Sequence, residues 1–111
     1  MRLVIVKETN SVGKDGVFYN NLDLSSCGLP ENLWALQWYD NNTGHIEYNS
    51  AMVQNDNITE LPSWANNCIT VWQTAHDAEQ ARIAELEALA AQIAAEQAAA
   101  EQAAAEQAAT E

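Results

Sequence analysis

The sequence predicts an α+β protein: a small antiparallel β-sheet head packed by the start of one long C-terminal α-helix, which continues as a coiled-coil-like, Ala-rich stalk. Three observations predict it. Short β-branched and aromatic runs, separated by Asn-, Asp- and Gly-rich turns, fill residues 1–61. From Ser63 to Glu111 there is no Gly or Pro, the two residues that punctuate helices. In that second stretch the apolar residues recur at steps of three and four. The expected organisation is a head over 1–61 and a helix over 62–111. Within the helix, 62–75 packs on the head, 76–95 forms a coiled-coil seam and 96–111 carries Glu-Gln-Ala-Ala-Ala repeats.

The first strand is Leu3-Val4-Ile5-Val6, a β-branched apolar run. Thr9 to Gly16, with Asn10, Gly13, Asp15 and Gly16, reads as a loop or hairpin turn. Val17-Phe18-Tyr19 is a short second strand. Leu22 and Leu24 alternate with polar residues and suit another, and Ser25–Glu31, with Gly28 and Pro30, is a turn. The clearest element is the hairpin of Leu33–Tyr39 and His45–Tyr48 around Asp40-Asn41-Asn42-Thr43-Gly44, where Gly44 is expected to close the loop at positive φ. Side chains alternate along a strand, so Trp34, Leu36 and Trp38 should share one face and Ile46 and Tyr48 should cover them. Gln37 and Glu47 then face the other way. Residues 49–60 read as a polar surface loop.

Leu61-Pro62-Ser63 starts the helix. Pro is at home at a first helical position, and Ser63 is a competing N-cap. Trp64, Ala65, Cys68, Ile69 and Trp72 make a stripe of the kind that faces a core. The expected contacts between head and helix are therefore Trp34, Leu36, Trp38, Ile46, Trp64 and Trp72. Further along, Ile69, Trp72, Ile83, Leu86, Ala90 and Ile93 fit alternating steps of three and four, a seam interrupted by His76 and Glu79, with Leu89 beside it. These six are the expected helix–helix interface. The pentapeptide repeats turn about 140° net per repeat at 3.6 residues per turn, so Glu96, Glu101 and Glu106 spiral around the rod. Ala favours helix, but no Lys pairs with these Glu, and in isolation this end should fray.

Charge excludes several classes of function. Sixteen acids face four bases, for a formal net charge of −12. The bases Arg2, Lys7, Lys14 and Arg82 are scattered singly, whereas phosphate binding needs clustered Lys and Arg. No nucleic-acid partner and no membrane partner are expected. The acidity is uneven: residues 77–111 hold eight acids and one base. The first apolar run has four residues, short of the roughly 7–15 of a signal-peptide core, so synthesis and retention in a cytoplasm are expected.

No catalytic, metal or cofactor site is expected. The chain lacks a nucleophile elbow, a P-loop, a dinucleotide fingerprint and a Cys-x-x-Cys pair. His45 reads as an exposed strand residue, and His76 as a polar seam residue or a solvated one. Asp40-Asn41-Asn42 and Asn55-Asp56-Asn57 resemble fragments of calcium loops without the closing Glu, and turn chemistry explains them. Cys27 and Cys68 read as two small buried thiols. The alternative is a disulfide, within or between chains, formed once the chain leaves a reducing compartment. Four tryptophans suggest a carbohydrate platform as a rival to core packing.

The run Leu29-Pro30, Trp34-x-x-Gln37-Trp38, Gly44-x-Ile46-Glu47-Tyr48, Ile58-Thr59-x-Leu61-Pro62-x-Trp64 and Trp72 resembles a group of small phage and prophage proteins encoded among tail and tail-fibre genes. The resemblance covers about residues 17–75. The Ala/Glu/Gln tail adds nothing to it, because low-complexity sequence is not evidence of kinship. The resemblance implies a virion tail component or a tail-fibre assembly factor, made in the host bacterial cytoplasm and carried into the virion tail. The implied partners are further copies of the chain, a trimer by analogy with fibre stalks, or other phage tail proteins. The expected function is thus non-enzymatic and structural. An assembly chaperone absent from the finished particle, and a carbohydrate-binding module using exposed Trp, are the alternatives.

Overall fold

A computed structural model describes residues 1–49 and 53–110, with side chains described to Gln107. Six strands, β1 (Leu3–Val6), β2 (Ser11–Lys14), β3 (Val17–Tyr19), β4 (Leu33–Trp38), β5 (Gly44–Tyr48) and β6 (Asp56–Ile58), precede one helix, α1 (Ser63–Thr110). The strands form a single antiparallel sheet in the order β3-β2-β1-β4-β5-β6. This is the α+β architecture expected. Two compact units follow one another along the chain, Met1–His76 and Asp77–Glu111.

The register lines up the core. Ile5 stands opposite Val12 on one side and Leu36 on the other, and Leu36 stands opposite Ile46. Two residues along the strands, Leu3 is paired with Trp38. These side chains share one face, and all are buried together with Ala65, Cys68 and Trp72 of α1. The face of α1 that the sequence marked as core-facing therefore covers the sheet, with Trp64 and Ile69 half-buried at its margin. The helix begins with Ala65 N–H donating to the Pro62 carbonyl at 3.0 Å. Along its far half, Gln92 donates to Glu96 at 3.3 Å and Gln102 to Glu106 at 3.5 Å, i,i+4 links in place of Lys–Glu pairs.

Several expectations are corrected. Thr9 to Gly16 is not one loop: Ser11–Lys14 is strand β2. Its boundaries are set by turns on both sides. Asn10 takes φ 49°, and Asp15-Gly16 take φ 51° and 87°, the two positive values of a tight hairpin turn whose twist suits antiparallel strands. Leu22 and Leu24 form no strand. Asn21 is left-handed at φ 56°, and Asp23 accepts from the Ser25 amide and hydroxyl, so local polar bonds curl this segment. Residues 49–60 include an edge strand, β6, paired with β5; residues 50–52 lie outside the described residues.

Trp34 is the main correction in the core. It is 44% exposed, while Leu36 and Trp38 are 0% and 5% exposed. The register shifts between Leu33 and Ala35, so one extra residue interrupts the alternation and turns Trp34 outward. Leu33, at 1% exposure, is buried instead. Gly44 is corrected as well: it has no positive φ, and Asn42 supplies the left-handed residue of that turn at φ 59°. Gly44 is needed for space, because a methyl group there would run into the Gln37 carbonyl and the Trp38 side chain.

Candidate interaction surface

The expected helix seam divides into two sets of residues with different fates. Ile69 and Trp72 belong to the head. Trp72 is 5% exposed, and its indole Nε1–H donates to the Val17 carbonyl at 2.9 Å. Its ring stacks on His76 with centroids 4.7 Å apart and 12° between planes, and the Lys14 ammonium sits 5.0 Å from its centroid. His76 is half-buried, where a polar seam residue or a solvated one was expected, and its Nδ1 is 2.9 Å from the Tyr19 hydroxyl. A cluster of Tyr19, Trp72 and His76 ties the β3 edge to α1. The sequence held a signal for this, an aromatic and a His at i and i+4 on one helix face, but nothing pointed to Tyr19 as the third member.

The other set is open. Leu86, Leu89 and Ile93 are 51%, 52% and 46% exposed, with Ile83 half-exposed and Ala90 exposed beside them. At 100° per residue these five lie on one face of α1, a stripe of aliphatic side chains longer than scattered surface apolar residues make. The break in the seam at Glu79 is neutralised from within the chain. Arg82 grips Glu79 through Nε and Nη2, at 2.9 and 2.6 Å. The paired guanidinium holds the Glu79 carboxyl below its ordinary range, and the carboxylate raises Arg82 in turn.

Trp34 stands beside an open groove of about 360 Å³ lined by Lys7, Glu8, Glu31, Leu33, Trp34 and Asn49. Lys7 fixes its floor, donating through Nζ to the carbonyls of Pro30 and Glu31 at 2.8 and 2.7 Å. On the sheet face away from α1, His45 lies 3.5 Å from Glu47 and against the Tyr39 ring, so it is half-buried where exposure was expected. Among the described residues no three His, Cys, Asp or Glu side chains gather as a metal would require. Among the same residues no buried side-chain nitrogen or oxygen lacks a hydrogen-bond partner, and no helix is long and apolar enough to cross a membrane.

Both cysteines are free and buried. Burial, and then the neighbouring Cys27, push the Cys68 thiol from 9.0 up to about 12. The fold thus favours the protonated thiol. That contribution to stability is complete below about pH 9 and is lost as pH rises through about 12. Thermal unfolding midpoints should therefore fall above about pH 9, and fall less in Cys68→Ala. An equal fall in both proteins would show that Cys68 plays no part in it.

Comparison of the chain with known protein families, with curated proteins and with solved structures finds no match.

Proposed function

We propose that this is a non-enzymatic structural protein that assembles through its C-terminal helix, with a phage tail or tail fibre as the setting implied by the sequence resemblance. The observation that carries the assembly role is the stripe of Leu86, Leu89 and Ile93, each about half exposed on a helix of 48 residues. Aliphatic side chains in that arrangement gain most by burial against another helix. Further copies of the chain, or a neighbouring tail protein, are the partners. The place of action is the host cytoplasm during assembly and the virion tail afterwards. Detection of the protein in purified virions separates a structural component from a chaperone that leaves before maturation.

Leu86→Asp combined with Ile93→Asp tests the assembly role directly. By light scattering, the wild-type chain should be a discrete oligomer and the double variant a monomer, with unchanged helix content in the head. An unchanged mass for the variant would remove the stripe from the interface.

Trp34 favours a second reading, a carbohydrate-binding module. The register shift leaves its ring 44% exposed beside a groove that also holds Lys7, Glu8, Glu31 and Asn49, the kind of flat apolar face on which a sugar ring stacks. On this reading, soluble oligosaccharides change the tryptophan fluorescence of the wild type and not of Trp34→Ala. No change in either protein would leave Trp34 as an ordinary surface residue.

A further inference from the structure

Cys27 lies in the irregular segment between β3 and β4, and Cys68 in the second turn of α1, with forty residues between them. The fold brings them together. They are 2% and 0% exposed within one buried cluster. Asn67, next to Cys68, donates from Nδ2 to the Cys27 carbonyl at 3.0 Å, which pins the segment to the helix at this point. The Cys27 side chain is also among the groups that push the Cys68 thiol up, as a near neighbour would. A single buried Cys is ordinary core filler, but two that meet each other across the joint between a strandless segment and a helix form a site for covalent closure.

We propose that Cys27 and Cys68 are a latent cross-link: they remain thiols in a reducing compartment, and on meeting a low-molecular-weight disulfide such as oxidised glutathione they join into one intrachain disulfide that fastens residues 20–32 to α1. The exchange balances in two steps. The Cys27 thiolate attacks one sulfur of glutathione disulfide, giving a mixed disulfide and one glutathione thiolate, which takes up the proton that Cys27 lost. Cys68 then attacks the Cys27 sulfur, and the second glutathione leaves with the proton from Cys68. Two S–H bonds become one S–S bond, and the oxidant takes two electrons and becomes two thiols.

Burial decides the rate and the pairing. Neither thiol meets solvent in the closed head, so exchange requires residues 20–32 to lift. That segment forms no strand and is held by turns and a few single hydrogen bonds, from Lys7 and Asn67 among others, the kind of element that opens below the free energy of global unfolding. Cys27 lifts with it, while Cys68 stays fixed in the helix. On reclosing, each thiol finds the other before it finds a second chain. Oxidation of the folded protein is therefore slow, and oxidation during refolding is fast.

The test is to treat the full-length chain with oxidised glutathione, both folded and during refolding from denaturant, then to alkylate remaining thiols under denaturing conditions and weigh the product. The expected product is a single chain two hydrogen atoms lighter and resistant to alkylation. Its thermal midpoint should lie roughly 10–20 °C above that of the reduced chain, because the cross-link removes entropy from the unfolded state. The shift should reverse with reductant and be absent in Cys27→Ala/Cys68→Ala. Two free thiols after oxidative refolding, a lasting glutathione adduct, a disulfide-linked dimer, or a cross-linked chain no more stable than the reduced one would each overturn the proposal.

Discussion

Trp38→Ala should lower the unfolding free energy by about 3–5 kcal/mol, the usual loss when a buried aromatic is cut back to a methyl group. Trp38 is 5% exposed, stands opposite Leu3 on β1 and Gly44 on β5, and fills the space that Gly44 leaves by having no side chain. Neither neighbour can advance into the void, since Leu3 is held in the middle of the sheet and Gly44 has nothing to offer. A head of this size is stable by only about 4–11 kcal/mol at typical values per residue, so the substitution removes a large share of that total. Trp34→Ala is the control, four positions away and in the same strand. Trp34 is 44% exposed and lies outside the buried cluster, and the expected change is well below that of Trp38→Ala, about 1 kcal/mol or less. Denaturant titration of both variants checks the pair, and similar midpoints would mean that the two rings are not on opposite sides of the sheet.

Trp72→Ala should be of comparable size, about 3–5 kcal/mol, for a different reason. Trp72 joins helix to sheet: it is buried, it donates to Val17 on β3, and it stacks on His76, which reaches Tyr19. Trp72→Phe separates these contributions. A phenyl ring retains most of the burial and stacking but has no N–H to donate, and the loss of one such hydrogen bond is worth about 0.5–1.5 kcal/mol. Helix signal from residues 63–76 should melt together with the sheet in the wild type and ahead of it in Trp72→Ala. A Trp72→Ala protein with a wild-type midpoint would mean that the start of the helix is not part of the head.

Much of the fold was legible because the chain repeats its signals at more than one level. Leu3–Val6 combines β-branched content with turn residues after it, and the aromatic hairpin combines aromatic content with turn residues at both ends. The helix combines a Pro-Ser start with 48 positions free of Gly and Pro. The strands that were missed lack that redundancy. In β2 the only large apolar residue is Val12, and in β6 the only one is Ile58. Each is held by backbone pairing with the strand beside it in the chain, which leaves little mark on its own composition. The Asp15-Gly16 pair was a usable hairpin signal, obscured by reading the polar stretch around it as one loop. Trp34 was misplaced because period-two alternation has no way to register one extra residue. On the helix, the three-four spacing carries from Ile69 and Trp72 across His76 and Glu79 to Ile83, but spacing describes only which residues share a face. The partner of that face is a tertiary fact: the sheet claims Ile69, Trp72 and His76, and leaves Leu86, Leu89 and Ile93 open.

The indole bond from Trp72 to Val17 has a consequence for how copies of this chain behave when crowded. An open sheet has two edges, and each is a template on which another chain can zip up and precipitate. Here both edges are strands of three residues, β3 and β6. On one of them a backbone acceptor is already occupied by the helix, and the other begins with Asp56, whose carboxylate accepts from the Tyr48 hydroxyl. With both rims blunted, runaway strand-to-strand stacking has little to grip, even at high local concentrations of the chain.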